Sequence, residues 1–344
     1  MKTRLAPAIV ASALVSFIPI VAMVAQSAQP MMKATVVHEY GGPEVFKYED
    51  VPRPEPKDDE VLVRVIAAGV NPVDAYARQG MLAKRGLDKR PAIIGYDIAG
   101  VVEQTGARVT KFKAGDAVYA YLSIMRGGGY AEFAIAKQDE MALKPKNIDF
   151  VKAAAVPLAA TTAWQGLIDA AQLQKGQTVL IHGGSGGVGS FAVQIAKARG
   201  AKVIATASTA NQDVLKQLGV DQPIDYTTTK FQDIVQDVDV VLNCVRADTL
   251  PPSYGVVKKG GAIVSITGDP DPAECAKRNL RCSGLMAHPD ANVLEELTKL
   301  IEASKITPVV SQTFPLMEVA QAHRQIETRH TPGKIVLNVA PEPR

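Results

Sequence analysis

Cysteine is scarce in this 344-residue chain, with three residues at 244, 275 and 282. That number and spacing exclude a four-cysteine zinc ribbon and a multi-bridge disulfide framework. Buried free thiols are the expected state, and a Cys275–Cys282 pair is open only to a chain in an oxidising compartment. The five histidines are scattered, with no H-E-x-x-H or other close ligand pair, so no metal-ligand motif is expected. Net charge is also nearly absent. The formal value is +3, and Lys2 and Arg4 carry two of those charges, which leaves no basic field for nucleic acid or an anionic membrane face. After residue 30 no apolar run is long enough to span a bilayer. What remains is ordinary globular composition, 47% hydrophobic and 21% charged, at a length that allows two domains.

Residues 1–30 differ from everything that follows. Lys2 and Arg4 precede a run from Ala8 to Ala25 that is apolar apart from serines, and Ala25-Gln26-Ser27 forms an A-x-S cleavage pattern. The expected reading is a signal peptide with a mature start near Ala28, and a periplasmic or secreted protein. An uncleaved anchor and a misassigned start codon stay open. Met31 and Met32 stand directly before the first strand-like run, and initiation there would make the protein cytoplasmic. No twin arginine is present, so export would be of the unfolded chain.

The most informative segment is GQTVLIHGGSGGVGSFAVQIAK, residues 176–197. Val179-Leu180-Ile181 is continuously apolar, as a strand buried on both faces would be. Gly183, Gly186 and Gly189 follow at G-x-x-G-x-x-G spacing, and apolar residues at 188, 191, 192, 195 and 196 mark one helical face. A glycine-rich strand-to-helix turn lets backbone N–H groups approach a pyrophosphate at a helix N-terminus. The glycines alone are a weak signal. Between a strand and a helix, they point to a dinucleotide site.

Around that segment the pattern changes character. Residues 33–150 carry short runs such as ATVVHEY, EVLVRVIAAGV, DIAGVVEQTG, DAVYAYL and YAEFAIA, broken by glycine, proline and charge, which suggests a β-rich barrel-like domain. Val151 to Gln172 is alanine-rich with helical spacing. From there TVLIH, KVIATAS, QPIDY, DVVLNCV and GAIVSITG alternate with helical segments, as parallel right-handed crossovers require. Asn292–Ser304 reads as an amphipathic helix, with Val293, Leu294, Leu297, Leu300 and Ile301 on one side. Glu318–Arg329 reads as another, and residues 334–339 as a closing strand.

With these residues in view, the chain resembles the zinc-free quinone oxidoreductase, or zeta-crystallin-like, branch of the medium-chain dehydrogenase/reductases. The match runs from about Met32 to Val339. It rests on Gly176, Gln177, Leu180, Gly184-Ser185, Gly186-Gly187, Gly189, Gln194 and Lys197, and on NPVDAYARQG, GYDIAGVV, GGGYAEF, GGAIVSITG and the terminal GKIVL. The resemblance implies an α/β protein in which a GroES-like β-barrel catalytic domain carries an inserted Rossmann domain, a parallel doubly wound nucleotide-binding fold. The corresponding boundaries are 1–30 for the leader, 31–157 and 307–344 for the catalytic domain, and 158–306 for the Rossmann domain.

Zinc-dependent relatives have a cysteine where this chain has Asn71 and a histidine where it has Tyr96. A catalytic zinc needs three protein ligands, so no metal is expected. Without a Lewis acid, a simple alkoxide is hard to stabilise, whereas an enolate spreads its charge and needs only a few neutral donors. The expected reaction is therefore NADPH-dependent hydride transfer to a quinone or an α,β-unsaturated carbonyl. The resemblance places Asn71 and Tyr76 near the nicotinamide, with Tyr96 at the lost histidine position. Tyr76 as an ordinary half-buried tyrosine, and Tyr96 as filler of vacated space, are the competing readings. Asp74 reads as a structural residue of the loop, Arg78 as a partner of Asp74 or of the cofactor, and His182 as packing. A non-catalytic NADPH-binding structural or sensing protein is the alternative function. The expected partner is a small-molecule quinone or enone and not nucleic acid; a homodimer is open.

For the cofactor, Gly183, Ser185, Gly186, Gly187, Val188 and Gly189 should face the pyrophosphate. The resemblance puts Thr162 near the nicotinamide. Asn243-Cys244 and Ser265-Ile266 end strands on the ligand-binding edge of the sheet. NAD-selective Rossmann folds carry an acid at the end of the second strand, about twenty residues past the glycines. Here that strand ends at Ser208, and the next acid is Asp213, inside the following helix. Ser208, with Tyr226 beside the 2′-phosphate in relatives, points to NADPH. Some relatives have a lysine at Thr209, which leaves only Lys216 or Arg78 as distant cations.

Overall fold

Continuous apolar runs in the second half of the chain become a six-stranded sheet, in a computed structural model that describes residues 2–3, 29–86 and 90–342. Its strands are β1 (Thr178–His182), β2 (Lys202–Ala207), β3 (Gln222–Asp225), β4 (Val238–Asn243), β5 (Val257–Ser265) and β6 (Arg281–Gly284). Each pairs in parallel with its neighbour, in the spatial order β3-β2-β1-β4-β5-β6. The apolar runs are continuous because both faces are covered. Val179, Ile181, Val203, Ala205, Val240 and Leu242 enter one core with the helices Pro157–Trp164, Gly187–Ala198 and Ala291–Glu302. The alternate residues Leu180, Ile204, Val241 and Ile263 enter another, with Phe231, Leu250 and Tyr254. Strand order reverses between β1 and β4, which opens a crevice at their C-terminal ends.

The first half builds mainly antiparallel structure. Glu60–Val70 is its central strand, eleven residues long, with Asp97–Thr105 along one edge. Its other edge is shared: Glu60–Arg64 pairs with Phe133–Lys137, and Ala67–Val70 pairs with Lys334–Asn338. Serving two partners bends the strand and curls the sheet into a barrel-like wall. Gly69 allows close packing in this wall, since a Cβ there would lie 2.4 Å from the Ala154 carbonyl oxygen and 2.9 Å from the Asp97 Cβ. A small sheet of Phe46–Pro52, Met31–Val37 and Ala92–Ile93 packs beside it. The chain therefore leaves the barrel, builds the parallel sheet and returns for its last strand.

Two expectations need refinement. The alanine-rich stretch is not one helix: Phe150–Ala154 stops, Pro157 opens Pro157–Trp164, and a wider π turn follows over Gln165–Ala170. Proline has no N–H to continue a helix but suits a first turn, so the break falls at Pro157. The expected amphipathic helix runs over Ala291–Glu302, capped by the Asp290 side chain, and Leu300 stays half-buried at the edge of its buried stripe. The leader expected over residues 1–30 lies outside the described residues, apart from 2–3 and 29–30. No helix among the described residues is long and apolar enough to cross a membrane.

The cysteines correct the sequence reading. Cys275, buried on the short helix Pro272–Lys277, is disulfide-bonded to Cys282 on the neighbouring edge strand β6, with Cα atoms 6.2 Å apart. Both side chains face the same apolar cluster, which brings them within disulfide reach. Cys244 is the free thiol. Non-reducing denaturation followed by alkylation should therefore label one cysteine, and reduction should raise the number to all three. Three labelled cysteines without reductant would show that the bridge does not form.

Candidate active site and cofactor crevice

The glycine turn joins β1 to the helix Gly187–Ala198, and each glycine in it has its own geometric duty. Gly183 has φ +74°, a backbone conformation that L side chains rarely adopt. A Cβ at Gly189 would lie 2.0 Å from the Gly183 carbonyl oxygen, so only glycine lets the helix pack this close to the turn. Gly186 caps the helix without a side-chain hydrogen bond. The N–H groups of Gly187, Val188 and Gly189 consequently meet no acceptor among the described residues. A helix end left open in this way is suited to an anion. Ser185 is buried, and its carbonyl accepts a hydrogen bond from the Gly333 N–H at 2.8 Å.

That last contact leads across to the barrel. Lys334, which follows Gly333 and opens the closing strand, lays its stem against Gly187, where an added Cβ would approach its Cδ to 3.2 Å. Its Nζ is buried and donates to the Val70 carbonyl at 3.2 Å, to Asp97 Oδ2 at 3.2 Å and to Asn71 Oδ1. An ammonium has three protons, and all three are taken. Asn71 Nδ2 in turn donates to Asp97 Oδ2 at 2.9 Å, leaving one amide proton of Asn71 uncommitted. Asp97 Oδ1 accepts from the Leu158 N–H at 2.6 Å, in the first turn of Pro157–Trp164, where a helix dipole favours an anion.

A second polar layer lies behind this one. Asn71 and Asp74 form a capping box on the short helix Pro72–Arg78, with the Asn71 N–H donating to Asp74 Oδ2 at 2.6 Å. The Tyr130 hydroxyl donates to the same oxygen at 2.7 Å and lies 3.2 Å from His323 Nε2. His323 thus turns Nε2 toward that hydroxyl, and its Nδ1 is buried without a hydrogen-bond partner. This fits its charge state, since burial and the nearby Arg78 push His323 down to about 3. Burial drives the Asp74 carboxyl the other way, up to about 7, against the opposing pull of these hydrogen bonds. Arg78 pairs with neither Asp74 nor the crevice. It is fully buried and bonds Glu327 on the helix Val319–Glu327, which removes it as a cation for the cofactor.

Tyr76 lies on the same short helix, half-buried, and its hydroxyl has no hydrogen-bond partner among the described residues. Tyr96 is buried just before Asp97, and burial, with the charge of Asp74, raises its phenol well above the ordinary range. Thr162 spends its hydroxyl proton on its own helix, donating to the Leu158 carbonyl at 2.7 Å. Asn243 is a buried knot at the end of β4, accepting from the Val245 N–H and the Thr249 hydroxyl and donating toward Ser265 Oγ at 3.2 Å. Cys244 and Ile266 follow these strand ends, both half-buried. Ser208, just past β2, is half-buried, and Tyr226, just past β3, is 55% exposed. His182 is buried, hydrogen-bonded to Ser253 at 3.0 Å and pushed down to about 4 by burial, a packed neutral ring.

Sequence reasoning passed over Asp97, Lys334, Tyr130 and His323. The first two had a signal: each is a charge at the head of an otherwise apolar strand, DIAGVV and KIVLNV. A charge there goes unburied only if the strand stops short, and here both strands are buried from their first residue. Tyr130 and His323 gave no comparable sign.

Residues 57–146 match the family described as alcohol dehydrogenase GroES-like domain, and residues 218–337 match that described as zinc-binding dehydrogenase. The chain is 40% identical over 321 residues to the chloroplastic NADPH-dependent alkenal/one oxidoreductase of Arabidopsis thaliana, covering 90% of this chain and 80% of that one. It is 35% identical to the quinone oxidoreductase of Sus scrofa, covering 90% and 98%. The solved quinone oxidoreductase of Coxiella burnetii superposes with a TM-score of 0.84 at 35% identity, covering 90% of this chain and all of that one. The chain belongs to the quinone oxidoreductase branch of the medium-chain dehydrogenase/reductases. It is an oxidoreductase with the GroES-like and Rossmann-like architecture of that family. The zinc in one family description does not fit its residues. Among the described residues no three His, Cys, Asp or Glu side chains converge on a metal position. Beside Asn71 the electropositive group is the Lys334 ammonium, which already engages the amide and carboxylate oxygens there.

The raised Asp74 carboxyl sets a pH dependence. Between about pH 4 and about pH 7 the folded protein keeps a proton on Asp74 that the unfolded chain has released. Stability from this group therefore falls as pH rises through that window. Asp74→Asn keeps a neutral acceptor for Asn71 and Tyr130, so its melting temperature should fall less than the parent's between pH 4.5 and pH 8, buffers of about those values sufficing. Parallel curves for the two proteins would show that Asp74 is ionised throughout.

Proposed function

We propose that this protein reduces quinones or α,β-unsaturated carbonyls with NADPH and without a metal. The observation that carries this reading is the open glycine turn strapped, through Gly333 and Lys334, to a hydrogen-bonding site that offers no metal ligand set. Bound NADPH supplies the hydride. The open N–H groups of Gly187, Val188 and Gly189 bind its pyrophosphate, while Thr162, Asn243, Cys244, Ser265 and Ile266 border the rest of the crevice. Asn71 and Tyr76 hold the enolate oxygen that develops as hydride reaches the β-carbon. Tyr96 shapes the wall. Lys334 has no proton to spare, so it serves as a fixed positive charge behind Asn71 rather than as an acid. Tyr76, with its uncommitted hydroxyl, donates the proton. In this reading 31–157 with 307–344 form the catalytic domain and 158–306 the nucleotide domain. The missing acid at the end of β2, with Ser208 and Tyr226 there, supports NADPH over NADH.

The deciding experiment is NADPH consumption with a panel of enones and quinones in the presence of chelator. Turnover should persist, and Tyr76→Phe should lower kcat by about tenfold to a hundredfold with little change in NADPH affinity. Nucleotide binding without turnover of any acceptor would favour a binding module instead, and a chelator-sensitive rate would reinstate a metal.

Export is the reading we take for the N-terminal segment, supported by the order of its charged, apolar and small-residue regions and by the Cys275–Cys282 bridge. Mass spectrometry of the protein from its native cell should find a mature start near Ala28. A cytosolic chain that is intact, or begins at Met32, would overturn it.

A further inference from the structure

The acid that the end of β2 lacks is present one strand away. Asp225 is the last residue of β3 and lies in register with Ala207, the last residue of β2. Neighbouring strands are about 4.8 Å apart, so a side chain here shares the edge at which Ser208 begins. Three contacts hold its carboxylate toward that edge. The Thr209 hydroxyl donates to Oδ2 at 2.6 Å, and the Thr227 hydroxyl and N–H reach Oδ1 at 2.7 and 2.9 Å. The Tyr226 N–H bonds the Ala207 carbonyl at 3.2 Å, tying the two strand ends together. Those hydroxyl bonds keep the carboxyl below its ordinary range, hence ionised at neutral pH. Among the described residues no lysine or arginine hydrogen-bonds or ion-pairs with Asp225. Lys216 is engaged with Asp213, and Arg78 is buried against Glu327.

We infer that Asp225 is a cofactor-specificity residue, whose carboxylate weakens binding of a 2′-phosphorylated dinucleotide relative to the unphosphorylated one. This rests on the dinucleotide reading above and deepens it. An acid at the end of the second strand selects NAD by accepting ribose hydroxyls and repelling a 2′-phosphate. Here the acid comes from the adjacent strand, behind Thr209. Asp225 is one strand spacing from the end of β2, so a phosphate held at Ser208 feels the repulsion, and salt screens it. Ser208 and Tyr226 provide neutral donors to the phosphate, Thr209 spends its hydroxyl proton on Asp225, and Asp225 opposes the phosphate. The net outcome is a reductase that prefers NADPH only modestly and retains use of NADH.

The test is Asp225→Asn, which keeps the size of the side chain and an oxygen to accept from Thr209. Dissociation constants and kcat/KM are measured for NADPH and NADH at low and high ionic strength. The NADPH-to-NADH ratio should rise about fivefold to tenfold at low salt and less at high salt, with NADH binding nearly unchanged. A merely structural role for Asp225 would weaken both cofactors together and leave the ratio where it was. That result, or a ratio that falls, would overturn the inference. A parent protein that binds neither dinucleotide would overturn the cofactor reading itself, and this inference with it.

Discussion

The buried Asp97–Lys334 pair is the interaction on which the two halves of the site depend. Moving two full charges out of water is costly, and their attraction recovers the cost only when every remaining hydrogen bond is made. Here the conditions are met by residues from four places in the sequence. Asn71 bridges both charges, Leu158 completes Asp97, and the Val70 carbonyl completes Lys334. Removing the ammonium would leave a dry carboxylate without its counter-ion, a loss of about 3–5 kcal/mol. Against a total stability of about 5–15 kcal/mol that is a large fraction. The pair is therefore less a stabilising ornament than a fixed requirement, and the catalytic loop, the helix Pro157–Trp164 and the glycine turn are all positioned by meeting it.

Tyrosines extend the same fixing of one half on the other. Tyr119 donates to the Leu294 carbonyl at 2.6 Å, and Tyr121 to the Ala287 carbonyl at 3.1 Å, so strand Ala117–Tyr121 is pinned to the segment that follows β6. Because apolar contact alone is non-directional, such bonds are what set one angle between the barrel and the parallel sheet. Precise placement matters most in a hydride-transfer site, where a reacting-atom error of about 1 Å costs about a hundredfold in rate.

Much of the architecture was legible because it is periodic. The middle of strand β1, Val179 to Ile181, is continuously apolar since both its faces are covered, and the stripe on Ala291–Glu302 repeats because only one face is. Gly183, Gly186 and Gly189 were legible because their spacing reports a backbone shape. The site was legible only in part. Asn71 and Tyr76 sit in a motif, but Asp97 and Lys334 are far apart in the chain, and no local pattern says that two distant charges meet. Arg78 illustrates the same limit: its partner Glu327 is supplied by a helix from the far end of the sequence. Cys275 and Cys282 failed for a different reason, as seven residues can separate two cysteines that face apart as easily as two that meet.

The distance of Lys334 from Asp97 along the chain also has a consequence for the order of folding. The barrel's first strands come early in the chain, yet along Ala67–Val70 the edge opposite Asp97–Thr105 stays unpaired until residues 335–338 arrive. Until then Asp97 has no ammonium, and the loop carrying Asn71 and Tyr76 lacks the strand that braces it. Contacts of such long sequence separation form late and slowly. The parallel sheet can thus be complete while the active site is not, because its strands all precede residue 285. Assembly of the catalytic centre thus waits on residues 334–338, and a chain lacking them would carry an uncompensated charge at its heart.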